Sequence, residues 1–163
     1  MTPRTPNSES YDDVPLSALL QTARSTYSQA VRAAQSRIGC DDLPVTGSSI
    51  IGAMHWSGAS LDSVIRWMGV TKQAVSQAVD MLVARGYLER SRDTSDRRRV
   101  NLTLTERGRA AGKAARSAIE RIDRELQGRV GSQQVAHARA TLVTLLEMGR
   151  KNRGPGTPRA AEW

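Results

Sequence analysis

Apolar residues recur at helical spacing along most of this chain of 163 residues. Spacings of three, four and seven predict helices over residues 16–38, 46–56, 61–68, 72–85, 105–129 and from Ser132 onward. After Gly86 the period becomes two, which predicts short strands at 87–90 and 100–104 joined by a polar hairpin tip. The chain is therefore predicted to be mainly α, with one small hairpin among its helices.

The last predicted helix carries a narrow apolar seam. Its members are Val135, Ala138, Leu142, Leu145, Leu146 and Met148. Contact of such a seam with water is unfavourable, so the seam predicts a partner for the C-terminal part of the chain. Both ends of the chain are polar: residues 1–14 predict a disordered arm, and residues 150–163 predict a flexible basic tail.

Residues 61–82 have the pattern of two helices joined by a tight turn at Gly69, where a positive φ would let the helices cross steeply. Thr71 is a candidate N-cap for the second helix. The outward face of that helix offers Lys72, Gln73, Ser76 and Gln77. Flexible hydrogen-bonding side chains near a helix N-terminus are the groups that contact base edges in a DNA major groove. An ordinary solvated surface and a protein contact are the alternative interpretations of this face.

Arginines are concentrated in the hairpin tip between the two predicted strands. They are Arg92, Arg97, Arg98 and Arg99, with Asp93 and Asp96 beside them. Such a loop can lie along the phosphate backbone, and an extended arginine can enter a narrow minor groove. By itself the tip would also fit a solvated charged turn. Directly after a helix-turn-helix pattern, DNA contact is the better interpretation.

The overall charge favours an anionic partner. The 24 Lys and Arg against 16 Asp and Glu give a net charge of +8, which suits a nucleic acid or a membrane surface. No stretch reaches the roughly 18 apolar residues that span a bilayer, and no signal peptide is recognisable. The single cysteine, Cys40, excludes an intramolecular disulfide or a cysteine-rich metal site. We therefore expect a soluble, cytoplasmic protein without a membrane partner.

Taken together, these segments resemble the MarR family of winged helix-turn-helix regulators. The resemblance lies in the run from Gly69 to Gln77, in Arg85-Gly86-Tyr87-Leu88, in Asp93-Thr94-Ser95-Asp96-Arg97-Arg98 and in Leu104-Thr105-Glu106-Arg107-Gly108. The family's wing typically reads Asp-x-x-Asp-Arg-Arg and is followed by Leu-Thr-x-x-Gly. Both patterns occur here at the expected separation, and the resemblance extends over about residues 16–149.

The resemblance implies a winged helix-turn-helix DNA-binding domain at 45–104 and a helical dimerisation region built from residues 15–44 and 105–149. It implies a homodimer on double-stranded DNA, usually a repressor of a palindromic operator. Such a regulator leaves its operator when a small, often phenolic or lipophilic, effector binds between the domains. The DNA contacts would come from Thr71, Lys72, Gln73, Ser76, Gln77, Arg92, Arg97, Arg98 and Arg99.

Aromatic and methionine side chains are candidates for the effector site, because they form adaptable apolar walls. The candidates are Tyr27, His55, Trp56, Trp67 and Met68. For each of them the alternative is ordinary core or hinge packing. An oxidant-sensing role is disfavoured for Cys40, because the adjoining Asp41 and Asp42 oppose the thiolate that such chemistry requires.

The sequence leaves two other functions open. The charge alone would suit a sequence-nonspecific, nucleoid-like DNA-binding protein, and the fold would also suit a winged-helix protein-interaction module. The chain has no glycine-rich phosphate loop, no nucleophile elbow and no grouped metal ligands, since His55 and His137 are far apart. We therefore expect neither an enzyme nor a bound cofactor.

Overall fold

The computed structural model describes residues 11–57, 72–92 and 100–151 of the chain. In these ranges the elements are α1 Leu16–Ser36, α2 Val45–Ser57, α3 Lys72–Ala84, β1 Leu88–Arg92, β2 Val100–Leu104, α4 Glu106–Val130 and α5 Ser132–Lys151. The architecture is mainly helical with one two-stranded antiparallel sheet, as the sequence predicts. The third predicted helix, 61–68, lies outside the described residues.

Gly86 decides where α3 ends and where the wing begins. Its φ is 71°, its N–H donates to the Val83 carbonyl at 3.0 Å, and the Tyr87 N–H donates to the Leu82 carbonyl at 2.8 Å. This pair of bonds is a Schellman cap. Because Tyr87 still belongs to the cap, β1 begins at Leu88, one residue later than the alternation predicts.

The first helix is shorter than predicted. α1 ends at Ser36, so Ile38 lies in the following turn with 48 % of its surface exposed. Gly39 has a φ of 73° in this turn, and the Cys40 N–H donates to the Gln35 carbonyl at 3.0 Å. Glycine adopts this backbone conformation without strain, which allows the chain to turn here although the apolar spacing continues.

The core lies where α2, α3 and β1 meet α4. Its fully buried side chains are Ile50, Ile51, Leu82, Tyr87 and Leu88. α4 contributes small buried residues, namely Ala111, Ala115 and Ala118. Both α1 and α2 pack against α4. In a chain without Phe, the close approach of helices over alanine gives the interior its packing density.

The apolar seam of α5 is exposed in the single chain. Its members with 41 % to 61 % exposure are Leu142, Leu145, Leu146 and Met148. Other exposed apolar residues of the long helices are Leu16, Leu126 and Val130. Exposed apolar side chains also occur singly on α2 and α3, but the most exposed ones are Leu146 and Met148 of α5 at 59 % and 61 %. Among the described helices, none is long and apolar enough to cross a membrane.

Candidate nucleic-acid interface and ligand cavity

α3 has one buried face and one polar, exposed face. The buried residues are Ala78, Val79 and Leu82. The exposed residues include Gln73, Ser76 and Gln77, which share one side of the helix because they are three and four positions apart. Lys72 is the first residue of α3, and Thr71 lies outside the described residues. The N-terminal half of α3 therefore presents neutral hydrogen-bonding groups at the helix end that attracts phosphate.

Asp80 on the same side of α3 is engaged by the wing. Its carboxylate forms an ion pair and a hydrogen bond with the guanidinium of Arg90 in β1. The pair is about half exposed, so its direct contribution to stability is small. Its geometric consequence is larger, because it neutralises the only acidic side chain of α3 and fixes the helix against the first strand.

The wing strands pair in register, with Leu88 opposite Leu104 and Arg92 opposite Val100. Between them the Thr103 hydroxyl donates to the Glu89 carboxylate at 3.0 Å. Arg92 is thus the last residue of β1 before the hairpin tip. The candidates Arg97, Arg98 and Arg99 lie outside the described residues.

The Leu-Thr-x-x-Gly segment joins the wing to α4. Thr105 caps α4: its Oγ1 accepts from the Gly108 N–H at 3.0 Å and lies 2.6 Å from the Gly86 carbonyl oxygen. The Thr105 N–H donates to the Tyr87 carbonyl at 3.1 Å. A Cβ on Gly108 would come within 2.1 Å of that same carbonyl oxygen. The motif therefore has a structural cause, since only glycine lets α4 approach the base of the wing this closely.

A cluster of hydrogen bonds surrounds Asp42 in the turn between α1 and α2. Asp42 Oδ1 accepts from the Tyr87 hydroxyl at 2.6 Å and from Nη2 of Arg107 at 2.8 Å. The hydrogen bond from Tyr87 is the main cause that lowers the pKa of the Asp42 carboxyl. Burial, followed by the bond to Asp42, raises the pKa of the Tyr87 phenol, so the phenol remains a donor at neutral pH.

A cavity of about 380 Å³ lies between α1, α2 and α4. Its wall is lined by Tyr27, Ser28, Val31, Arg32, Gln35, Leu43, Val45, Ser48, Ser49, Gly52, Ala53, Trp56, Gly112, Ala115, Arg116 and Ile119. The Tyr27 hydroxyl donates to Asp123 Oδ1 at 2.6 Å, and this hydrogen bond, followed by burial, raises the pKa of Tyr27 to about 12. Two of the predicted effector residues, Tyr27 and Trp56, thus share one cavity.

The cavity also has polar groups that sequence reasoning missed. Gln35 is 3 % exposed, donates to the Ala111 carbonyl at 3.3 Å and accepts from the Ser48 hydroxyl at 2.9 Å. The guanidinium of Arg116 lies 5.2 Å from the ring centre of Trp56. In the sequence, Gln35 continues the stripe of Tyr27 and Val31 at four-residue spacing, which is a signal for its burial.

The other predicted effector residues lie elsewhere. His55 packs on α4, where a Cβ built on Gly112 would come within 2.6 Å of the His55 Cβ, and it does not line the cavity. Trp67 and Met68 lie outside the described residues. Cys40 is 4 % exposed and belongs to the core. Among the described residues, no group of three or more His, Cys, Asp or Glu could hold a metal ion.

Comparisons with known proteins agree with this geometry. The profile of the MarR family matches residues 52–99. No curated protein sequence matches the chain significantly. The S. aureus MepR–DNA complex is similar in structure, with a TM-score of 0.67, 18 % identity and coverage of 83 % of this chain and 99 % of that chain.

Two further solved structures have a similar fold. Streptococcus pneumoniae FabT in complex with DNA gives a TM-score of 0.66 at 18 % identity and covers 84 % of this chain and 99 % of that chain. The reduced form of MarR from E. coli gives a TM-score of 0.61 at 19 % identity and covers 82 % and 97 %. These matches confirm the predicted resemblance to the MarR family and the winged helix-turn-helix fold.

Proposed function

We propose that this chain, whose residues 52–99 match the MarR family, is a sequence-specific DNA-binding transcriptional regulator. The observation that carries the proposal is the exposed face of α3, where Gln73, Ser76 and Gln77 project from a helix whose opposite side is buried. A recognition helix lies in the major groove with its N-terminal residues against base edges. These three side chains supply the donors and acceptors that such contacts require.

Positive charge along the same part of the chain supports backbone contacts. We assign phosphate contacts to Lys72 and the wing arginines, and a minor-groove contact to Arg97. Thr71 would cap α3 beside a phosphate. The net charge of +8 supports association with DNA. The structures of MepR and FabT with DNA support the same assignment, since both have this fold.

The regulator acts as a homodimer in this proposal. Residues 15–44 and 105–149 would form the dimer interface, and residues 45–104 the DNA-binding domain. The exposed apolar seam of α5 supports the assignment, because Leu145 and Leu146 need cover from a second apolar surface. Two copies would place their α3 faces in successive major grooves of a palindromic operator, with half-sites about 10 base pairs apart or a multiple of that distance.

The cavity supports a response to a small molecule. Its volume of about 380 Å³ is in the range of small-molecule sites, and its wall is largely apolar with a few polar groups, such as Tyr27, Gln35 and Ser48. A lipophilic or phenolic ligand there would contact α1, α2 and α4 together. In this proposal the ligand changes how the DNA-binding domain sits on the dimerisation helices and thereby relieves repression.

The test is a binding selection of the full chain on random duplex DNA at near-physiological salt, followed by sequencing of the retained duplexes. We expect enrichment of an inverted repeat with half-sites one helical turn apart. Retention without an enriched sequence would contradict specific recognition and favour a nucleoid-like protein. Failure to retain any duplex would contradict DNA binding and favour a protein-interaction module.

A further inference from the structure

We propose that Asp42, Tyr87 and Arg107 form a latch that positions the wing for DNA contact and communicates occupancy of the cavity to it, an inference that rests on the proposed function. The three residues belong to three segments that are distant in sequence: the turn between α1 and α2, the residue before β1, and the first turn of α4. Asp42 comes from the side of the dimerisation helices, and Tyr87 from the base of the wing. The latch therefore connects the two regions.

Asp42 is the centre of the latch. Its Oδ1 accepts from the Tyr87 hydroxyl at 2.6 Å and from Arg107 Nη2 at 2.8 Å, while Arg107 Cζ lies 4.2 Å from the Tyr87 ring centre. Arg107 Nη1 also donates to the Arg85 carbonyl at 2.6 Å, and the Arg85 guanidinium donates to the Asp42 carbonyl. Charge-assisted bonds thus hold both the side chain and the backbone of Asp42.

Tyr87 connects the latch to the two strands of the wing. Its ring is fully buried, so it moves together with the packed core around it. Its carbonyl accepts from the Thr105 N–H at 3.1 Å, and the next residue, Leu88, pairs with Leu104 across the two strands. The hydroxyl of Tyr87 therefore touches the α1–α2 turn, while its backbone holds the base of both strands.

The turn between α1 and α2 connects the latch to the cavity. Leu43 follows Asp42 directly and lines the cavity, and it also packs against the buried core. Val45, the first residue of α2, lines the cavity as well. A molecule that displaces Leu43 therefore displaces the backbone beside the Asp42 carboxylate. This movement lengthens the bonds to Tyr87 and Arg107, so an occupied cavity releases the wing.

The first experiment measures the affinity of the chain of 163 residues for its selected operator in Asp42→Ala, Tyr87→Phe and the double variant. Each single substitution is expected to weaken operator binding about tenfold, since each removes a hydrogen bond to a charged group. The double variant is expected to lose no more than Asp42→Ala alone, because Asp42→Ala already removes the bond that Tyr87→Phe removes. Melting temperatures and the dimer fraction are recorded so that the affinities refer to folded protein.

Asp41→Ala is the matched control, because Asp41 is the adjacent residue and its loss changes the net charge equally. Its side chain accepts from Ser36 and takes no part in the latch. Removing one carboxylate makes the net charge more positive, and this change alone strengthens DNA binding. Asp41→Ala should therefore bind the operator at least as well as the wild type. If Tyr87→Phe and Asp42→Ala lowered the melting temperature but left operator affinity unchanged, the latch proposal would be contradicted. The contacts of Asp42 would then contribute to stability alone.

The second experiment fills the cavity without a ligand. Gly52 lines the cavity, and a Cβ built on it meets no atom within 4 Å, so Gly52→Phe places a ring in the open space. Operator affinity should fall about tenfold in the wild-type background and should not fall further in the Asp42→Ala background, as expected for one shared interaction. If Gly52→Phe lowered operator affinity equally in both backgrounds, or did not lower it in the wild type, the proposed coupling between the cavity and the wing would be contradicted.

The two proposals fail differently. If the wild-type chain enriches no operator, the proposed function fails and the latch fails with it. If the wild type enriches an operator and the latch variants bind it with wild-type affinity, the latch alone is overturned.

Discussion

α3 and α5 both carry an exposed face, and the two faces differ in chemistry. The exposed side of α3 presents Gln73, Ser76 and Gln77, while its other side is buried in the core. The exposed side of α5 presents Leu145 and Leu146 at 43 % and 59 % exposure. The apolar face of α3 is buried within the chain, whereas α5 keeps an exposed apolar face after the chain has folded.

This difference indicates two different kinds of partner. Water solvates the α3 face well, so its partner must replace those hydrogen bonds with equally specific ones, as base edges do. Water solvates the α5 face poorly, so an apolar partner gains free energy from burial alone. A second copy of the same chain would meet that need in the proposed homodimer, because a twofold interface buries the same patch on both protomers.

The largest expected effect comes from making the α5 face polar. In Leu145→Glu with Leu146→Glu, the dissociation constant of the proposed dimer should rise at least about a hundredfold, since burying a leucine contributes roughly 1.5–3 kcal/mol. Sedimentation equilibrium measures the constant. The pair Gln133→Glu and Gln134→Glu adds the same charge to the same helix at exposed polar positions and should leave the dimer intact. A dimer that survives in the leucine variant would show that this seam is not the interface.

The second effect tests the junction between the wing and α4. In Gly108→Ala the new Cβ would come within 2.1 Å of the Tyr87 carbonyl oxygen, so backbone must shift. We expect a loss of about 3 kcal/mol in the free energy of unfolding, measured with urea. Gly128→Ala is the matched control in the same helix, because a Cβ there meets no atom within 4 Å.

The control should change stability in the opposite direction. Alanine is favoured over glycine inside a helix by roughly 0.5–1 kcal/mol, so Gly128→Ala should stabilise the chain. Equal effects at the two positions would contradict the close approach of α4 to the base of the wing.

The third effect tests recognition by α3 directly. Gln77→Ala should reduce discrimination at one base pair by roughly 1–3 kcal/mol and leave the salt dependence of binding unchanged. Lys72→Ala should instead weaken all duplexes alike and reduce the salt slope by about one. Competition titrations with single-base operator variants at several salt concentrations separate the two. A uniform loss in both variants would show that Gln77 does not contact a base.

The sequence predicts α3 better than any other part of the candidate sites. The apolar residues Ala78, Val79 and Leu82 repeat at helical spacing, and Gly86 marks the end of the helix, so both the buried and the polar face follow from local pattern. The start of β1 does not follow from alternation, because the cap bond from Tyr87 to Leu82 decides it.

Contacts between distant segments could not be predicted in this way. Tyr87 and Arg107 are 45 and 65 positions from Asp42 in the sequence. None of the three residues breaks the local apolar spacing, so the local pattern does not show that they are in contact. The cavity is an intermediate case. Tyr27 and Trp56 are recognisable as aromatic wall residues, whereas the polar groups of Gln35, Ser48 and Arg116 reach the same space only through the packing of α1 and α2 on α4.

The smallest expected effect concerns the interior of the helical region, where Tyr27 of α1 donates to Asp123 of α4. Because the folded-state pKa of Tyr27 is raised from 10.0 to about 12, the bond stabilises the fold fully below pH 10 and is lost as the pH rises towards 12. Tyr27→Phe should therefore cost about 1 kcal/mol in the free energy of unfolding at neutral pH. In urea titrations, the difference in the free energy of unfolding between Tyr27→Phe and the wild type should shrink between pH 10 and pH 12.

Asp123→Asn is the partner variant and should flatten the same part of the pH profile, because it replaces the charged acceptor of the Tyr27 hydroxyl with a neutral one and removes the negative charge that raises the pKa of Tyr27. Neither substitution alters the exposed face of α3, so operator discrimination should stay at the wild-type level at neutral pH. A wild-type pH profile that persists in both variants would show that another group titrates in this range.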